Sequence, residues 1–299
     1  MRTVAVVNPV SGRLSPEEKR DLLIREWGRD LRLTETSADD SVETWLPVVR
    51  EERPDVVLVG GGDGTVRHVV AALRTAGERF PVAHLPFGTA NLIARSLGFS
   101  GDAEEAAEEI RRGKTRSFDL GEVDDGSLFI LAASLGMPAE LLDGAERTSK
   151  DKLGFVAYLY GGIRSLERVA RPGKVRVISG DEKLAELQTG ALFVANLLRL
   201  EEFALDIGKS ITPHDGRLTI AAITTENLLE FAWTAIEFIS GREKQSERIW
   251  IRSFDEIEIV FGEPWRIQVD GEELGSRDRV EFRTLKDAFD FVVSESYEG

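Results

Sequence analysis

Apolar positions in the N-terminal part of the chain alternate between short continuous runs and helical spacing. Thr3–Val7 and Val56–Val59 are dominantly apolar runs, the pattern of strands covered on both faces. Between them, Ser15-Pro16 followed by Glu17 and Glu18 opens a helix expected to reach Trp27. Leu31–Thr34 reads as a short second strand, and Asp39–Arg53 as a second helix with a break expected near Pro47. After Val59 come Gly60, Gly61, Gly62, Asp63, Gly64 and Thr65, and then Val66, Val69, Val70 and Leu73 return at helical spacing. Pro81–Pro86 repeats the apolar run, and Leu92, Ile93 and Leu97 repeat the helix start. Asp102–Arg112 reads as an acidic helix closed by Gly113. Strand–helix alternation of this kind predicts a parallel sheet in an α/β domain.

Beyond Gly113 the period changes. Arg116–Glu122, Ser127–Leu135, Lys174–Ser179, Thr189–Leu197, Arg217–Thr224, Arg248–Phe261 and Trp265–Val269 read as strands separated by Gly and Asp turns. That pattern predicts an antiparallel sheet or sandwich. Two helical interludes, Lys150–Val169 and about Asn227–Ser240, interrupt it. The aromatics in them (Phe155, Tyr158, Tyr160, Phe231, Trp233, Phe238) fall at spacings that fit buried faces. The expected organisation is an α/β domain over residues 1–119 and a β domain over 120–283. Leu285–Val293 is a helix or strand with which residues 284–299 pack back onto the first domain.

Three polar turns stand where strands end and helices begin: Asn8–Gly12, Gly61–Thr65 and Gly88–Asn91. In an open parallel sheet, ligands bind outside the carboxyl ends of the strands. Glycine permits close backbone approach, and the free N–H groups of a helix start attract an anion, most simply phosphate. Asp63 is unexpected beside phosphate. It fits if a divalent cation lies between them, or if it takes a proton from an attacking hydroxyl. Thr65 can donate its hydroxyl to a phosphate oxygen. The spacing matches neither GxxxxGK[ST] nor GxGxxG with a later acidic residue. Farther on, His214-Asp215-Gly216-Arg217 precedes a strand. Asp270-Gly271-Glu272 joins two strand-like runs and offers two carboxylates for general-base work.

Composition narrows the partners. A net charge of −15 argues against a general nucleic-acid surface and against wholesale adhesion to anionic membranes. With no cysteine, disulfides and thiol catalysis are excluded. Met1 leads directly into the first strand without the basic and apolar regions of a signal peptide, and no apolar stretch approaches bilayer-spanning length. A cytoplasmic location, peripheral to the membrane at most, is expected. The three histidines, His68, His84 and His214, are too scattered for a metal cluster.

Taken together, VNPVSG (7–12), GGDGT (61–65), PFGTANLIAR (86–95), HDGRLTI (214–220) and VDGEEL (269–274) resemble, in order, the motifs of the diacylglycerol kinase catalytic-domain family in its soluble bacterial branch. The resemblance implies a phosphofructokinase-like, Rossmann-like α/β domain and a C-terminal β-sandwich domain. It also implies transfer of the γ-phosphoryl group of ATP, with Mg²⁺, to a lipid hydroxyl such as that of diacylglycerol. Carried over by position, Asn8, Pro9, Ser11, Gly12, Thr34, Gly61, Gly62, Asp63, Gly64, Thr65, Arg67, Gly88, Thr89 and Asn91 would line the nucleotide. Asp215, with backbone oxygens of Thr212 and Arg217, would hold Mg²⁺. Glu272 would accept the proton with Asp270 beside it, and Asp63 would organise the metal and phosphate network. Arg67-His68 stands where the family usually has Asn-Glu, and Gly136-Met137-Pro138-Ala139 where many members have a Gly-x-Asp-Ala segment; Arg67 could serve as a charge clamp. Two other readings compete: an NAD kinase acting on a ribose hydroxyl, and a nucleotide-binding regulator with weak catalysis. The acceptor and the oligomeric state, a homodimer included, are not legible.

Overall fold

The computed structural model describes residues 2–29, 31–36, 42–136, 172–180, 182–190, 192–197, 212–224 and 249–297. Met137-Pro138 and both helical interludes with their aromatics lie outside the described residues. The chain divides into two compact units, Met1–Asp119 with Asp287–Gly299, and Leu120–Lys286.

The first unit alternates strand and helix. Its strands are β1 (Thr3–Val7), β2 (Arg32–Glu35), β3 (Val56–Gly61) and β4 (Val82–Pro86). The connecting helices are α1 (Pro16–Trp27), α2 (Val42–Glu52) and α3 (Asp63–Thr75), followed by α4 (Leu92–Ser96) and α5 (Ala103–Arg112). A final long strand, β14 (Glu272–Val293), adds its last residues to this sheet, with Phe291 opposite Val82. The order is β14–β4–β3–β1–β2, and all pairs are parallel. Every residue of β3 is buried, as its unbroken apolar run demands. The chain leaves β1 for β2 on one side and then returns past β1 to β3 on the other. The β1/β3 crevice is therefore the topological switch point, where such sheets bind ligands.

One expectation is corrected here, and one left open is decided. Helix α2 runs through Pro47 unbroken. Pro47 is exposed, so the carbonyl it leaves unbonded can turn to water, while Trp45, Leu46 and Val49 are buried. Proline costs about 3 kcal/mol in a helix interior; three large apolar side chains recover about 1.5–3 kcal/mol each. Leu285–Val293, open between helix and strand in the sequence, is strand throughout.

The second unit is antiparallel β structure. Its strands are β5 (Lys114–Val123, from Leu120 onward), β6 (Leu128–Phe129), β7 (Ala132–Leu135), β8 (Gly173–Ser179), β9 (Glu182–Thr189), β10 (Leu192–Ala195), β11 (Leu218–Ile223), β12 (Ile249–Phe254), β13 (Glu256–Val269) and the first part of β14. The first half of β13 pairs with β8 and the second half with β7, separated by a register shift between Val260 and Trp265. One bent strand thus serves two ladders, and Trp265, Ile267, Val175, Val194, Ile220 and Phe282 share the core. The stretch expected as one strand, Arg248–Phe261, is two. Asp255 ends the first, its backbone oxygen taking the Thr284 N–H and its carboxylate the Lys286 ammonium at 2.8 Å.

Candidate active site

The three polar turns of the first unit are packed against one another, and glycines make that packing sterically allowed. A Cβ on Gly12, whose φ is +66°, would lie 1.6 Å from the Phe87 carbonyl oxygen. A Cβ on Gly88 would lie 2.5 Å from the Cα of Gly62 and 2.7 Å from the Asn91 Oδ1. The backbone of the turn after β4 is therefore wedged between those after β1 and β3.

Side chains lock the same contacts. Asn8 donates from Nδ2 to the Thr65 hydroxyl at 3.2 Å, and its Oδ1 accepts the Val10 N–H at 3.1 Å. Its backbone N–H donates to the Gly60 carbonyl at 2.8 Å. Asn91 donates from Nδ2 to the Gly88 carbonyl at 2.9 Å; its Oδ1 is buried without a partner, in a residue only 4% exposed. That oxygen is aimed at the Gly62–Gly88 contact, and its backbone is left-handed at φ 52°. Beneath the turn, fully buried His84 meets the Gly61 carbonyl through Nε2 at 3.0 Å. Burial holds its pKa below the ordinary histidine value, with the nearby Asp63 charge acting weakly the other way, so the ring is neutral and Nε2 carries the donated proton.

Asp63 does something the sequence did not show. Its two carboxylate oxygens accept the N–H groups of Leu92 (3.0 Å) and Ile93 (2.8 Å). The carboxylate thus caps α4 and ties the start of α3 to the turn after β4. The start of α3 itself is different: its N-cap is Gly62, with no side-chain hydrogen bond to the helix. The four N–H groups of a helix start lack intrahelical partners and carry the positive end of the dipole. At α3 no cap side chain fills them, and among the described residues only the Thr65 N–H turns back, to the Gly62 carbonyl at 3.0 Å. Gly64, in the first turn, is exposed and has open space where a Cβ would stand.

The remaining expected residues are placed as follows. Pro9 and Ser11 lie in the first turn; the Ser11 hydroxyl donates to the Asn8 carbonyl at 3.0 Å. Thr89 is exposed in the third turn, and Arg67 is half-buried on α3. Thr34 is on the edge strand β2, in register with Val6, one strand out from the turn after β1. In the second unit, the Asp215 carboxylate accepts the Arg217 N–H at 3.0 Å, closing a tight turn with Thr212 just upstream. Asp270, at φ 47°, accepts the N–H groups of Ile130 (2.6 Å), Leu131 (2.9 Å) and Ala132 (3.0 Å). Three such bonds make it the anchor of its hairpin. Glu272, two residues on, is exposed. Among the described residues, no three acidic or histidine side chains are grouped to hold a metal.

Residues 2–123 match the model of the diacylglycerol kinase catalytic domain. The first unit is thus similar to the catalytic domain of diacylglycerol kinases. The chain is 29% identical to a diacylglycerol kinase of Bacillus subtilis over 219 residues, which cover 73% of this chain and 71% of that protein. It is 27% identical over 290 residues to an uncharacterised protein of Synechocystis, covering 91% of this chain and 65% of the relative's length. Among solved structures, a diacylglycerol kinase of Bacillus anthracis superposes with a TM-score of 0.74 at 18% identity, over 99% of this chain and 98% of that one. An NAD kinase of Archaeoglobus fulgidus in complex with ATP gives 0.57 at 13% identity, over 99% and 95%. These two establish the shared fold. No helix among the described residues is long and apolar enough to cross a membrane.

One residue at the first turn was not singled out in the sequence. Lys19 of α1 is 1% exposed, and its ammonium meets the carbonyls of Asn8 (3.1 Å), Pro9 (2.8 Å) and Ser11 (2.7 Å). A signal was present: Lys19, Leu22 and Leu23 share one helical face at i, i+3 and i+4, so a lone cation stands on the apolar side.

Proposed function

We propose that this protein is an ATP- and Mg²⁺-dependent lipid kinase that transfers the γ-phosphoryl group to the hydroxyl of a diacylglycerol-like lipid at a membrane surface. The observation that carries the nucleotide half is the start of α3: a helix N-terminus without a side-chain cap, at the switch point and against two further turns. Gly64 sharpens it. Nothing in the fold needs a glycine there, since a Cβ would meet no atom within 4 Å; a ligand lying against the backbone would.

In this reading the α3 amides and dipole hold the phosphates, Asn8 and Thr65 shape the floor, and Arg67 adds charge. The lipid oxygen attacks the γ-phosphorus in line, the bond to the bridging oxygen breaks, and ADP leaves. Such a transfer depends on positioning and charge neutralisation more than on covalent catalysis. Glu272 takes the hydroxyl proton as the new P–O bond forms; this assignment rests on the family motif and on the hairpin that Asp270 anchors. The Asp215 turn offers a carboxylate and backbone oxygens, a donor set that suits a hard cation. Mg²⁺ bound by Asp215, Thr212 and Arg217 would supply charge neutralisation.

Gly64→Ala tests the phosphate site directly. The folded chain should be unchanged or steadier by up to about 1 kcal/mol, because alanine favours a helix over glycine. ATP affinity, measured by calorimetry, should fall at least about tenfold, or 1.4 kcal/mol. Equal affinity in the two proteins would move the phosphates away from α3. For the chemistry, Glu272→Ala should lower the rate of labelled-phosphate transfer by about 10²–10⁴-fold with little change in ATP affinity. Unaltered turnover would remove Glu272 from proton transfer. The shared fold with an ATP-bound NAD kinase keeps a ribose hydroxyl as the second acceptor. Labelled ATP offered with NAD or with dispersed diacylglycerol separates the two.

A further inference from the structure

The contacts of Lys19 carry a conclusion beyond its burial. A capping box fixes the start of α1: the Ser15 hydroxyl accepts the Glu18 N–H at 3.2 Å, and the Glu18 carboxylate accepts the Ser15 N–H at 2.7 Å. That register places residue 19 one turn into the helix, on the face of Leu22 and Leu23. Its ammonium has three N–H bonds to give, and three backbone carbonyls of the Asn8–Gly12 turn take them. The Ser11 hydroxyl is a further contact at 3.4 Å, and the Phe87 ring centroid lies 5.6 Å away. All of these partners are neutral. A buried charge is costly unless it is hydrogen-bonded, so the turn must bend its carbonyls inward around this ammonium. The amides of Asn8, Val10 and Ser11 are themselves donated to the Gly60 carbonyl, the Asn8 Oδ1 and the Asn8 carbonyl, so the turn is held rigid from both sides, and an ammonium bonded only to neutral groups leaves positive potential there for an anion.

We infer that Lys19 is the positioning residue of the Asn8–Gly12 turn, giving it the shape and the positive potential that receive the anionic part of the nucleotide. The inference rests on the nucleotide reading above. Lys19→Met keeps the buried stem and removes the charge and the donors. In the 299-residue chain, the Kd of this variant for Mg·ATP should rise at least tenfold by calorimetry, and amide exchange should quicken in residues 8–12 while β3 and α3 stay protected. Lys19→Cys should behave alike, and alkylation with 2-bromoethylamine in denaturant, selective because the chain has no other cysteine, should after refolding restore both properties by rebuilding a lysine-like ammonium. Unaltered ATP affinity and exchange in the Lys19→Met protein would overturn the inference. So would faster exchange spread evenly through residues 2–119, or alkylation that restores nothing. If the parent chain binds no ATP, the nucleotide reading falls, and exchange in residues 8–12 of Lys19→Met still decides whether Lys19 holds the turn.

Discussion

An Asp63→Ala protein is expected to lose both phosphoryl transfer and part of its folding stability. The carboxylate accepts two backbone N–H groups at the start of α4. Bonds to a charged acceptor contribute about 1.5–3 kcal/mol each, and water will satisfy the freed amides only in part. A loss of about 2–4 kcal/mol in denaturant unfolding of the first domain follows. Activity goes with it, because the capped turn is the one wedged against Gly62. Asp63→Asn should fall between, since its amide oxygen can serve one N–H while its NH₂ opposes the other. Lost transfer with an unaltered unfolding curve would instead mean that Asp63 acts on metal or phosphate alone and ties nothing together.

Gly12→Ala is expected to be nearly as severe for binding while sparing most of the fold. The added Cβ would sit 1.6 Å from a backbone oxygen, and a φ of +66° is strained for alanine. A contact that short with backbone atoms cannot be relieved by a side-chain rotation, so the turn must lift. Overpacking costs about 1–3 kcal/mol and a left-handed conformation about 1–2 kcal/mol for a residue with a Cβ. Lifting the turn relieves both at the expense of the ligand, which corresponds to a fall in ATP affinity on the order of 100-fold. Calorimetry with Mg·ATP reads this; an affinity within twofold of the parent would show that the turn after β1 does not touch the nucleotide.

Much of this site is visible in the residue pattern, for a physical reason. Buried parallel strands are continuous apolar runs, and the turns at their ends need Gly, Asn and Asp, so β1, β3, β4 and their turns stand out. What residue types do not show is contact between turns distant in sequence. Asp63 was legible as a carboxylate near phosphate, but its grip on Leu92 and Ile93 depends on how close two helix starts come. Asp270 reads as an acid in a hairpin. Only the pairing of β13 with β7 brings it to the amides of residues 130–132. Lys19 belongs to a helix whose other polar positions face water, and the turn it holds lies on the preceding segment. Pro47 misled because burial of its neighbours outweighed its own helix penalty.

The central claim is that the phosphates lie against the first amides of α3. A structure of the chain with Mg²⁺ and a non-hydrolysable ATP analogue tests it most directly. The account predicts phosphate oxygens within hydrogen-bond distance of backbone N–H groups in the Gly62–Thr65 turn, with Gly64 in van der Waals contact. An analogue bound elsewhere, with those amides facing only water, would contradict it.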